Sequence, residues 1–156
     1  MSSSDRGDRV CLAIGAGLLA LYIAQAALGL EVPVLVRLQH HERYKVVTGC
    51  VLAAYLLHQS LMARRRIYDP VGVLVWHKLA GACAPLLLYL HASRFGYGYL
   101  FLLSMLFVGT VGLALLHRVS LRARTVYAWW FVLHIVTASC LVVVSGYHAV
   151  VALAYR

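Results

Sequence analysis

Apolar residues in this chain run in long uninterrupted blocks, and polar residues are confined to the short stretches between them. Five blocks reach the roughly 20 apolar residues that a helix needs to cross a bilayer core. They are Val10 to Leu30, Val46 to Ala63, Pro70 to Ser93, Phe95 to His117 and Thr125 to Tyr155, and their only interior charge is Lys78. In lipid, backbone groups are satisfied only within helices or closed barrels, and these blocks are too long and too uniformly apolar for the roughly ten-residue alternating strands of a barrel. The pattern predicts an all-α fold, an integral membrane bundle of five transmembrane helices that fills residues 1–156 as one domain with no soluble domain beside it.

Composition agrees with the pattern: 63% of the residues are hydrophobic and 12% are charged. Lys and Arg orient such a bundle. The N-terminus (Arg6, Arg9), the second loop (Arg64, Arg65, Arg66) and the fourth loop (Arg118, Arg122, Arg124) share one side and hold eight cations. The opposite side holds five, Arg37, Arg43, Lys45, Arg94 and Arg156, so the bias favours an N-terminus in the cytoplasm of a bacterial inner membrane and a C-terminus outside. The net charge of +9 is mostly this anchoring pattern and gives no support to nucleic-acid binding. "AQA" at Ala24 to Ala26 has the look of a signal-peptidase site, but the acidic and basic leader before it favours a retained first helix. Cys11, Cys50, Cys83 and Cys140 all fall within apolar segments and form no C-x-x-C or C-x-x-C-H, which excludes a covalently attached c-type haem and leaves them as buried small hydrophobes.

Histidine spacing changes the picture. "WHKLAGACAPLLLYLHA" places His77 and His91 fourteen residues apart, and "HIVTASCLVVVSGYH" repeats the interval between His134 and His148. Fourteen residues return a helix to within roughly 40° of its starting azimuth over a rise of about 21 Å, so each helix shows two histidines on one face, one toward each membrane surface. The third and fifth segments run parallel in an up-down bundle, which puts His77 level with His134 and His91 level with His148. Several side chains between them, Gly81, Ala84, Ala138 and Ser145 among them, are small. Facing imidazoles, apolar walls and the lack of nearby carboxylates suit a porphyrin with two axial histidines better than zinc or a proton relay. Ordinary interhelical hydrogen bonding explains one membrane histidine well, but not four at matched spacing.

The stretches "WHKLAG…YLHA" and "WWFVLH…GYHAVVAL" resemble the diheme b-type membrane cytochromes, a group that includes the ferric reductase-like transmembrane domain and, more distantly, cytochrome b of the respiratory bc complexes. The resemblance spans residues 71–155. It implies two stacked b haems within a four-helix core, the inner iron ligated by His77 and His134 and the outer by His91 and His148. Ferric reductase-like domains usually have six helices and often a flavin and nicotinamide domain after them; this chain shows five segments and neither domain.

Other residues take their candidate roles from these haems. His58, at about the depth of His77, is a candidate propionate contact, quinone-pocket residue or replacement ligand. Arg94 follows His91 by one turn and suits either a propionate of the outer haem or a plain membrane-end anchor. Lys78 must snorkel or find an anionic partner, and the inner propionates are the candidate. His40 and His41, in "RLQHHERYK", are either solvated or bind a metal or quinone, while His117 reads as interfacial. Trp76, Trp129 and Trp130 suit an aromatic belt first and packing against the inner haem second. Pro85 is expected to kink the third segment by removing the hydrogen bond to Gly81. Glu31 is the only acid placed to help move a proton, against a plain helix-end role.

The sequence thus predicts a membrane diheme cytochrome b, with quinone as a further candidate cofactor. Electrons would pass from an inner donor, quinol or a flavoprotein, to an outer acceptor such as ferric iron, a periplasmic protein or quinone. A haem-bearing anchor subunit of a larger quinone-linked oxidoreductase is the nearest alternative. A metal-ion or proton transporter and a structural bundle with packing histidines are the readings from other classes. No phosphate loop, dinucleotide fingerprint or nucleophilic triad is present.

Overall fold

A computed structural model describes residues 3–65, 70–121 and 123–155. Most of those residues are helical and none of them lies in a strand. The chain divides into two compact units, the first ending at Arg94 and the second beginning at Phe95.

The first unit holds α1 (Ser3–Leu28), α2 (Pro33–His40), α3 (Glu42–Arg65) and α4 (Pro70–His91). α4 is its centre, packing on both α1 and α3, while the short α2 rests on α3 and α4. α1 begins well before Val10 because its polar first turns have a partner: Asp8 on α1 takes Lys78 of α4 at 2.9 Å. It stops at Gly29, whose φ of +64° is the left-handed conformation that ends helices, and the Leu30 amide donates back to the Gln25 carbonyl at 3.0 Å. Pro33 then opens α2, a position where the missing amide hydrogen costs nothing.

Pro85 lies inside α4, fully buried, between the buried Ala84 and Leu88. Helix α4 continues through it to His91. In the turn before the proline, Tyr55 of α3 donates to the Ala80 carbonyl at 3.4 Å.

The second unit holds α5 (Tyr99–Leu115), the four-residue α6 (His117–Ser120) and α7 (Arg124–Ala154). α5 packs on α7, and α6 touches both. The apolar block from Phe95 yields a helix only from Tyr99. Gly98 sits at φ +59°, and a side chain on Gly96 would collide with Leu100, so the chain before Tyr99 is held in a tight glycine turn.

Four helices are long and apolar enough to cross a membrane: α1, α3, α4 and α7; α5 is a shorter apolar helix of 17 residues. Their large apolar side chains are widely exposed, Leu21, Val47, Leu57, Val75, Val143 and Val150 among them, which suits lipid as the surrounding solvent. Hydroxyls inside the apolar stretches are satisfied by their own helix: Ser60, Ser104, Thr110 and Thr137 each donate to the carbonyl four residues back. The cations on which the orientation was read include Arg6, Arg64, Arg65, Arg66, Arg118, Arg122 and Arg156, whose side chains lie outside the described residues.

Candidate functional site

His77 and His91 stand on α4 in the first unit, and His134 and His148 stand on α7 in the second. All four are half-buried. On α4 the stripe between its histidines includes the buried Ala84 and Leu88. On α7 the corresponding stripe is Ala138, Leu141 and Ser145, with Leu141 buried and the other two half-buried. In each unit the stripe between the histidines therefore includes buried side chains, and α4 packs on both α1 and α3.

His91 is held most tightly. Its Nδ1 lies 3.1 Å from the Thr48 hydroxyl of α3, and a Cβ added to the neighbouring Gly49 would stand 3.2 Å from the imidazole Cε1. Thr48 has one hydroxyl proton, and it is directed to the Tyr44 carbonyl at 2.9 Å with Lys45 O at 3.2 Å. That leaves the hydroxyl oxygen able to accept from His91, and the tautomer with Nδ1 protonated is the one that leaves a lone pair on Nε2 for a metal. The α4 end beneath His91 is fixed as well. Gln39 of α2 donates to the carbonyls of Tyr89 and Leu90 at 2.8 and 3.2 Å, and its own carbonyl accepts from Ser93 at 2.8 Å.

In the second unit the Nδ1 of His148 also lies beside a hydroxyl of a neighbouring helix, 3.3 Å from that of Tyr99 at the start of α5. Tyr147 braces that tyrosine edge-on at 5.4 Å between ring centroids. His134 stacks on Trp130, one turn earlier, with the rings 5.6 Å apart and 5° from parallel, and it hydrogen-bonds the Thr110 backbone of α5. Trp130 is itself anchored, donating to the Leu113 carbonyl at 2.6 Å, and His117 meets it edge-on at 5.0 Å. His77 and His134 have their Nδ1 atoms shielded from solvent.

No known protein family, curated protein or solved structure matches this chain.

The other residues singled out by sequence fall as follows. Lys78 has Asp8 as its anionic partner, with both carboxylate oxygens within hydrogen-bond reach at 2.9 and 3.1 Å. Arg94 pairs with Glu31, so the cation and the acid assigned separate roles by sequence neutralise each other. His58 lies on the exposed surface of α3. His40 is exposed at the end of α2, and the backbone amide of His41 caps that helix on the Leu38 carbonyl at 2.9 Å. Trp76 and Trp129 are exposed, as belt residues would be, whereas Trp130 points inward. The cysteines are free; Cys50, Cys83 and Cys140 are exposed rather than buried, because apolar helices facing lipid leave small side chains on their surface. Among the described residues no three His, Cys, Asp or Glu side chains converge as a closed metal site would need.

Thr48, Gly49, Tyr99, Gln39 and Asp8 were not visible as site residues in the sequence. Each acts across a helix pair, so its role appears only once α3 is set against α4, α5 against α7, α2 against α4 and α1 against α4.

Proposed function

We propose that this protein is a b-type membrane cytochrome with two haems ligated by His77, His91, His134 and His148, carrying electrons across the bilayer. The observation that carries the reading is the repeated support of imidazole Nδ1. His91 and His148, the later histidine of each fourteen-residue pair, each have Nδ1 against a hydroxyl on a neighbouring helix. Metal-ligating histidines characteristically use their second nitrogen this way, which fixes the ring and raises the basicity of the ligating atom. The residues fit a haem iron, which asks the protein for two axial ligands and an apolar wall instead of a cluster of acids or thiolates. The haem supplies the reversible one-electron iron couple. The chain's own residues orient the imidazoles, exclude water and hold a low dielectric around them.

Equal spacing on α4 and α7 supports His77 with His134 on one iron and His91 with His148 on the other. Parallel α4 and α7 need a crossing between them, which supports α5 as the fourth of five spans, and the Lys and Arg bias supports a bacterial inner membrane with the N-terminus cytoplasmic. Quinol or a flavoprotein as donor and ferric iron, a periplasmic protein or quinone as acceptor complete the reading.

The test is an oxidised-minus-reduced visible spectrum of the purified protein, with haem quantified per chain as the pyridine haemochrome. Two b haems with sharp low-spin bands are expected. Alanine at His77, His91, His134 or His148 loses one haem each, while His58→Ala keeps both. A folded but colourless protein overturns the proposal.

A further inference from the structure

The end of the first unit near His91 holds a cleft of about 340 Å³ whose walls include Glu31, Gln39, His40, Lys45 and Arg94. Most of its polar groups are already committed. Arg94 takes the Glu31 carboxylate, and the Gln39 amide is used at both ends by Tyr89, Leu90 and Ser93. Lys45 is different: its ammonium is exposed and has no hydrogen bond or ion pair among the described residues. The exposed His40 joins it on the wall, so the cleft presents a cation and a further N–H donor with no acid left to balance them.

Place decides what such a cleft meets. It lies where three spanning-length helices end and the short α2 runs between two of them, the level at which lipid head groups stand. Exposed Val32, Val34 and Leu38 in and beside α2 offer apolar surface on the same segment as the cations Arg37 and Lys45. Apolar surface flanked by Lys and Arg is the chemistry of an anionic lipid surface. We infer that this cleft binds the phosphate group of an anionic lipid, with the Lys45 ammonium and the His40 imidazole on its oxygens. The site needs no haem, although its wall also includes His91, the proposed outer ligand.

The experiment uses the full chain purified in a maltoside detergent. It is titrated separately with short-chain phosphatidylglycerol, short-chain phosphatidylcholine and inorganic phosphate, and binding is read from the rise in thermal midpoint. Phosphatidylglycerol is expected to bind most tightly. Lys45→Gln should weaken it about fivefold, the size of one cationic contact at a membrane surface, while Lys45→Arg retains binding. Arg43→Gln, a cation on the same segment that does not line the cleft, should match the wild type. Equal affinity in the wild type and Lys45→Gln, or an equal loss in Arg43→Gln, overturns the site. Inorganic phosphate binding as tightly as the lipid overturns the lipid as its source.

Discussion

At the scale of single residues, Thr48 has the clearest consequence. Its hydroxyl proton is directed to its own helix and its oxygen lies 3.1 Å from His91 Nδ1, an arrangement that favours the Nδ1-protonated tautomer. Thr48→Val removes that oxygen from the half-buried His91 imidazole, at a cost of about 1–3 kcal/mol. In protein with 15N-labelled histidine rings, one histidine should show the protonated-Nδ1 signature in the wild type and lose it in Thr48→Val. An unchanged spectrum would refute the assignment, whether or not haem is bound. Where haem is bound, loss of such a supporting group should weaken the ligand about 10–100-fold. The sequence displayed His91 plainly, as an ionisable group in an apolar run, but Thr48 looked like any other membrane threonine. Lys78 and Arg94 were legible as cations needing anions, yet the nearest anions proved to be Asp8 and Glu31, which sit 70 and 63 positions away in the chain and become neighbours only because α1 packs on α4.

At the scale of elements, long apolar blocks gave away α1, α3, α4 and α7, while the ends and the short pieces depended on contacts. α2 is only eight residues long and carries Arg37, Gln39 and His40, so by composition it reads as loop. Pro33 at its first turn was the one local sign of a helix. α5 is shorter than its apolar block because glycine geometry, not hydropathy, sets its start. What holds α2 in place is Gln39, whose side-chain amide caps carbonyls at the end of α4 that have no partner within their own helix. Gln39→Leu should strip those carbonyls and the Ser93 hydroxyl of their partner and destabilise the α2 contact by about 1–3 kcal/mol. Hydrogen exchange would then quicken in residues 33–40 and at the end of α4, while the middle of α1 and α4 keeps its protection. Uniform acceleration across all helices would mean that Gln39 supports the whole unit and not this one joint.

For the whole molecule, the sequence supplied the repeat and the structure supplied its local surroundings. Each unit carries one histidine pair at the same interval, and each packs its pair against its own neighbouring helices, α3 in the first unit and α5 in the second. Pairing across the units is carried by equal spacing alone, and double variants of the full chain test it without needing either unit in isolation. If His77 and His134 share an iron, His77→Ala with His134→Ala removes one haem, the same as either substitution alone. His77→Ala with His148→Ala then removes both, since each change disables a different iron. The reverse result, two haems lost in the first double variant and one in the second, would pair His77 with His148. Haem counts per chain in these two proteins therefore separate the stacked arrangement from its crossed alternative, and a full complement in either would remove those histidines from the ligand set altogether.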